Sequence, residues 1–451
     1  MQTDLFVTKP VKQLFFHYLL PAICGTMVTS IYVLADTIII GKGIGMEAMA
    51  ALNIVLPLFN IFFGTGLLFG VGGSVLMSIA RGRGEIQMGH GYFSMAVLLN
   101  GGVCLLYMAF FLPFIEKIAR FLGATDQTIP YVMDYAPYIL WGLAFFSFST
   151  FLQTFVRNDG SPKLAMTGVV FGGILNVILD IVFVFPLQMG MAGAAIASVL
   201  GSVSTCGILL LHFASQKNGL RFTVRGLAPS FAIRILKNGF TSFLLEVLAG
   251  FVMFIFNLQL LNYVGEIGVS MYGVITNCSI VVTCLCNGIN QASQPIISIN
   301  YGAGEYERIR RVKAIGLKTA FAICGLSALL GLLVPDLFTY VFLKPNAEIL
   351  ALSKTAVRIY FSGFLIMGAN MFIIGYFQAI LKPQRSLFLC LARGCVLSVL
   401  FVYILPQFWG VTGIWAAVPL AELCTFVLAV FFLKRNSLSP VKFSTCKKET
   451  M

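Results

Sequence analysis

Charge is scarce in this chain. Asp, Glu, Lys and Arg make up 10% of its 451 residues, while 59% are hydrophobic. A soluble domain carries roughly 25% charged side chains. So few charges cannot cover a water-facing surface, which excludes a soluble globular protein and leaves an integral membrane one. Histidine is scarcer still: only His17, His90 and His212 are present, none spaced for metal binding. GxSxG and HExxH elements are absent, and the GRG at 82–84 falls in a turn between apolar runs, where it is a weak phosphate-loop signal. These gaps argue against an enzyme, and no cofactor is expected. CxxC pairs are missing too. Ten of the eleven cysteines fall in apolar runs and Cys446 in the tail, so they read as small buried hydrophobes rather than a disulfide set.

What the chain has in quantity is hydrophobic length. Twelve spans, each long enough to cross a bilayer as a helix, lie at approximately 13–41, 48–79, 89–115, 130–155, 162–187, 190–214, 231–264, 268–300, 313–335, 350–380, 386–407 and 410–433. The first is too long, and followed by too many others, to be a cleaved signal peptide. The net charge of +13 is unevenly placed. Numbering loops from the N-terminus, 24 basic residues fall on its side, including Arg81, Arg157, Lys217, Arg308 and Arg393. Six fall opposite: Lys42, Lys117, Arg120, Lys344, Lys354 and Arg358. By the positive-inside rule both termini are cytoplasmic. The basic partner is then anionic lipid in the bilayer, not nucleic acid.

The chain repeats itself. SIARGRGE (78–85) and SINYGAGE (298–305) share five of eight residues at a spacing of 220, and the same shift lays PLQMGMAG (186–193) on PQFWGVTG (406–413). Each copy holds an even number of spans, so both enter from the same side and are related by a pseudo-two-fold axis along the membrane normal. The expected fold is all-α integral membrane, twelve transmembrane helices in two pseudo-symmetric six-helix bundles. Residues 1–215 form the N-terminal lobe, 216–230 a cytoplasmic connector, 231–435 the C-terminal lobe and 436–451 a cytoplasmic tail. A cleft between two such bundles suits alternating access.

Four acids lie well inside spans: Asp36, Asp180, Glu246 and Glu422. Asp180 ends the element LNVILD (175–180), about 12–15 Å below the turn at Gly190. Asn176 shares its helix face, and Ser198 returns to a similar depth on the sixth span. No Lys or Arg occurs from 13 to 41 or from 164 to 216. Asp36 and Asp180 therefore need hydrogen bonds, a shared proton or a bound cation, and two such carboxyls titrate as a coupled pair. Adding 220 to Asp36, Asn176, Asp180 and Ser198 lands on Phe256, Val396, Leu400 and Val418. The polar cluster is not duplicated although its scaffold is, which favours function over structure. Glu246, midway along the seventh span, could hold cationic substrate or a second proton, or snorkel among polar neighbours. Glu422 has no partner nearby in sequence.

Twelve spans in two repeats, Asp36 in the first span, LNVILD and GMAGAAIAS (190–198) resemble the multidrug and toxic compound extrusion (MATE) family of antiporters, in its bacterial form and over essentially the whole chain. The resemblance implies export of bulky, often cationic, amphipathic compounds from the bacterial inner (cell) membrane, driven by inward flow of protons or sodium, with the monomer as working unit. It places the N-lobe ion site on Asp36, Asn176, Asp180 and Ser198. Tyr32, one turn before Asp36, is a further substrate or proton contact, and Pro21 stands where the first helix bends in related proteins. Two departures stand out. Some branches carry threonine where Ser198 stands, and the acid one branch has in its tenth span is missing from 350–380, leaving Glu246 without that complement. A lipid-linked precursor flippase of the same broad superfamily is the alternative; it would show a basic chamber, whereas these spans hold acids.

Overall fold

The structure, a computed structural model, describes residues 6–224, 226–342, 347–436 and 438. Arg225, Lys344 and nearly all of the tail expected at 436–451, Cys446 included, lie outside the described residues. Among the described residues, twelve helices are long and apolar enough to cross a membrane. These are α1 (Val11–Gly43), α2 (Met46–Gly82), α3 (Ile86–Phe121), α4 (Ile129–Asn158), α5 (Pro162–Val184), α6 (Gly190–Ala214), α7 (Pro229–Tyr263), α8 (Ile267–Ala303), α9 (Tyr306–Leu333), α10 (Leu352–Ala379), α11 (Pro383–Trp409) and α12 (Val411–Lys434). They match the expected spans to within a few residues in most cases. In hydrocarbon every backbone polar group must be satisfied within its own segment, which an apolar helix achieves unaided. Pro162, Pro229 and Pro383 open α5, α7 and α11, at positions where a missing N–H leaves no bond unmade.

Two spans are less regular than hydropathy implies. The tenth is built from Ala347–Ser362 and Phe364–Ala379, joined at Gly363, which lies close against Pro419 of α12. The eleventh contains a π-helical turn, Ala392–Val396. That turn overturns one expectation. Arg393, assigned above to the basic side of the membrane, sits well inside α11. Its charge is met there by Glu422 of α12, at 2.7 Å from Nε to Oε1. A span can carry a cation when a second span supplies its counter-ion, which charge counting along the chain does not register.

The 220-residue repeat reappears in the backbone. Gly84 and Gly304 end α2 and α8 with φ of 80° and 79°, and Gly190 and Gly410 start α6 and α12 with φ of 59° and 55°; positive φ is readily adopted only without a Cβ. Where α2 crosses α8 the contact is reciprocal. A methyl on Gly82 would run into the carbonyl oxygen of Ile299, and one on Gly302 into that of Ile79.

The apolar cores show how the two sets of six helices meet. At the end where α1 begins and most basic residues lie, here the basic end, one cluster joins Leu14, Val75 and Ile79 to Ile296 and Phe377. A second there joins Phe93 and Phe155 to Ile235. At the far end the cores are separate: one runs from Ile39 to Ala195 within α1–α6, the other from Phe256 to Ala417 within α7–α12. Polar bonds follow the same pattern, with Arg157 Nη1 donating to Gln291 Oε1 at 2.6 Å near the basic end. The two halves are fused at the basic end and diverge toward the far end.

The segment linking them is pinned to the first half. Asp159, fully buried at the α4–α5 turn, accepts from Arg81, from His212 Nε2 at 2.7 Å and from the backbone N–H of Gly219 at 2.8 Å. Arg81 also donates to the Gly219 carbonyl. Farther along, the N–H of Thr223 donates to Ser94 Oγ at 2.8 Å, and Phe231 of α7 stacks on Tyr92 of α3 with ring centroids 4.4 Å apart.

Candidate functional site

Small residues bring α1, α5 and α6 into contact. On α5, a side chain at Gly172 would collide with Thr205 Oγ1 and the Gly201 carbonyl of α6, while Gly173 faces the Tyr32 ring and Val28 of α1. Paired glycines thus let α5 approach both neighbours at once, the small-residue packing that holds membrane helices together. One turn on, Asn176 lies against Gly201, and its Nδ2 donates to Ser198 Oγ at 3.3 Å. Another turn on, Asp180 faces Asp36 of α1. At the far end Gly43 of α1 closes onto Val184 of α5.

The structure therefore gathers Asp36, Asn176, Asp180 and Ser198 in one place. Asp36 is 8% exposed and Asp180 is not exposed at all. Neither joins an ion pair among the described residues. Asp36 Oδ1, both Oδ atoms of Asp180 and Asn176 Oδ1 are buried without a hydrogen-bond partner. Buried oxygens are normally satisfied. Four unmet acceptors brought together, with no permanent cation beside them among the described residues, form a donor set suited to a proton or a small hard cation.

One member was missed. Tyr135 of α4 is fully buried with its hydroxyl pointed among Asp36, Asp180 and Ser198, and that hydroxyl makes no hydrogen bond of normal geometry. It is one of fifteen tyrosines, and only the packing of α4 on α6 singles it out. Tyr32 lies beside Asp36 and over Gly173, so it borders the cluster. The helix α1 continues through Pro21, where proline leaves one backbone hydrogen bond unmade. The same helix reaches the other half: Thr26 Oγ1 donates to the Cys284 carbonyl at 2.9 Å, and Ser30 Oγ is 2.7 Å from Cys284 Sγ. Thus α1 touches the carboxylate cluster with one stretch and α8 with another.

Glu246 is not part of that cluster. It stands half-buried on α7 against Gly64 of α2 and near Cys284 of α8, at the seam between the halves. Glu422, which lacked a partner in sequence, is held from two sides. Arg393 meets Oε1, and Asn370 Nδ2 donates to Oε2 at 2.7 Å and to the Glu422 carbonyl at 2.8 Å. A cavity of about 390 Å³ on α7 and α8, bordered by Phe254, Asn257 and Ser270, includes none of the four acids.

Known proteins share this architecture. A solved structure described as the outward-facing conformation of a multidrug resistance MATE family transporter of the MOP superfamily matches with a TM-score of 0.89 at 23% identity, over 96% of this chain and 98% of the other. A MATE structure described as the straight conformation matches at 0.90 with 22% identity, over 96% and 98%. The multidrug export protein MepA of Staphylococcus haemolyticus is 25% identical over 99% of both chains. The MatE family model matches twice, at residues 21–182 and 240–404, and the chain belongs to the MatE family of membrane transporters.

Proposed function

We propose that the chain is a secondary active exporter that moves amphipathic, often cationic compounds out of a bacterial cell in exchange for protons or sodium ions. It would sit in the inner membrane with its termini and basic end in the cytoplasm, working as a monomer between lipid and small-molecule substrates. The observation that carries this reading is the pair Asp36–Asp180, buried together with unmet oxygens and no basic neighbour. A fixed structural role would leave them paired; an exchange site must be vacated and refilled. The name of the staphylococcal relative, multidrug export protein, supports the substrate class.

Exchange requires that ion and drug favour different conformations, because a ligand shifts an equilibrium only by its differential affinity for the two states. The geometry offers a route. An ion entering from the far end, where the halves diverge, reaches carboxylates on α1 and α5. Binding there tightens α1 against α5, and α1 is also hydrogen-bonded to α8 across the seam. Pro21 removes one backbone hydrogen bond from α1 and makes a bend there less costly.

Asp180→Asn keeps the shape of the side chain and removes its charge. Proteoliposomes carrying this variant should hold folded protein yet fail to move a fluorescent cationic dye uphill when a proton or a sodium gradient is imposed. Gradient-driven dye export at the parent rate would refute the assignment. Imposing the two gradients separately on the parent protein identifies the coupling ion.

A further inference from the structure

The second half of the molecule carries charge that the exchange reaction does not use. Glu422 is 3% exposed and Arg393 is largely covered, inside a bundle of apolar helices. Their place is informative. The N-terminal cluster draws Tyr135, Asn176 with Asp180, and Ser198 from α4, α5 and α6. The repeat relates those helices to α10, α11 and α12, the three that supply Asn370, Arg393 and Glu422. The residues themselves are not repeated: 220 positions before Arg393 stands Gly173, and 220 before Glu422 stands Ser202.

The backbone is modified to present the arginine. Arg393 lies in the π-turn Ala392–Val396 of α11, and its displaced carbonyl is taken up by Ser398 Oγ at 2.7 Å. A π-bulge inserts a residue into a helix, costs hydrogen-bond geometry, and is found mostly where a side chain must be re-aimed. Here the re-aimed side chain neutralises a buried carboxylate. The other titratable groups facing the pair are the thiols of Cys286 on α8, Cys324 on α9 and Cys390 on α11, and the phenol of Tyr360 on α10. All are of types neutral near pH 7 in water, so Arg393 is the counter-charge to Glu422.

We infer that Arg393 is a tethered cation: on the helices that the repeat relates to those of the N-terminal cluster, it permanently supplies the positive charge that a mobile ion brings in the N-terminal half, so that the transporter has one exchangeable ion site rather than two. This rests on reading Asp36–Asp180 as the exchange site, and it adds that Glu422 takes no part in coupling. Arg393 is then a positioning residue. It ties α11 to α12, while Asn370 ties α10 to the same carboxylate, and the bundle becomes a fixed body against which α1 works.

The test separates the two claims. Arg393→Gln leaves a buried carboxylate without a cation, which must then recruit one or take a proton. Infrared spectra of purified Arg393→Gln at neutral pH, in buffer free of small metal cations, should gain protonated-carboxyl intensity over the parent, and Arg393→Gln/Glu422→Gln should return to the parent's level. Breaking a buried pair destabilises strongly, whereas replacing both members by neutral groups is often tolerated. The double variant should therefore fold and keep coupled dye export within a few-fold of the parent, with the same ion dependence. Loss of uphill export in the folded double variant, or the absence of any gain in protonated-carboxyl intensity in Arg393→Gln, overturns the proposal. Should Arg393→Gln fail to insert, the double variant and Arg393→Lys, which keeps a tethered cation, decide it by the same export measurement. Asp180→Asn made in parallel reports on the exchange site alone, so failure there is distinguishable from failure here.

Discussion

Replacing Gly82 and Gly302 together by alanine should hold the transporter open at its basic end. Each new Cβ would lie closer than 3.0 Å to a carbonyl oxygen of the opposing helix, Ile299 for one and Ile79 for the other, where contacts of 3.4–4 Å are ordinary. Both obstacles are backbone atoms, so no rotamer change relieves them and α2 must move from α8 by about 1 Å. Overpacking of this kind costs about 1–3 kcal/mol. The strain exists only while the crossing is closed, so it acts as a bias on conformation, and 1–3 kcal/mol corresponds to a roughly 5–150-fold shift in the ratio of states. Spin labels at positions 83 and 303, read by pulsed electron resonance in nanodiscs, should show the short-distance population of the parent depleted in favour of a longer one, with slower dye export. Single variants should fall between. An unchanged distance distribution in the double variant would refute the view that this crossing is the seal.

Two further outcomes follow from contacts described above. Tyr135→Phe removes a buried hydroxyl beside Asp36, Asp180 and Ser198; with about 1 kcal/mol for one hydrogen bond or ligand oxygen, the ion concentration for half-maximal export should rise several-fold while the maximal rate is kept, as measured by varying the driving ion. Asp159→Asn leaves Arg81 and His212 without their buried anion. By the cost of breaking a buried pair, about 3–5 kcal/mol, its thermal unfolding midpoint in detergent should fall clearly below that of Glu307→Gln, which touches only the exposed Arg310 and Arg311.

The spans and the repeat were legible because each depends on short-range information: a run of apolar residues is a helix in lipid wherever it sits, and two motif pairs at one offset define a duplication. Asp36 and Asp180 were legible for a different reason. The absence of Lys and Arg over two long stretches removes the commonest partners, and rise per residue sets their expected depth. Arg393 and Glu422 escaped because they are neighbours only across two spans, and a charge count along the chain places an isolated arginine in the nearest loop. Tyr135 escaped because a tyrosine in a span packs well in many settings, and nothing local marks the one whose hydroxyl meets a carboxylate. Asp159 lies in a turn, where an acid is unremarkable until the connector is seen folded back onto it. The break at Gly363 was hidden by the hydrophobicity on both sides of it.

The way the connector is held has a mechanical consequence. Thr223 is bonded to α3, and Phe231, already on α7, stacks on α3 as well, so the chain crosses from one half to the other with both ends of the crossing fastened to the same side. About six residues separate Thr223 from Pro229, a reach of roughly 20 Å when fully drawn out. Such a joint behaves as a hinge-pin rather than a leash: the first turns of α7 travel with α3, and rotation of the second half has to be absorbed farther along α7 or by shearing the Tyr92–Phe231 stack. The swing of the molecule is thereby given a fulcrum close to the cytoplasmic surface proposed above, and small displacements there are magnified at the opposite mouth.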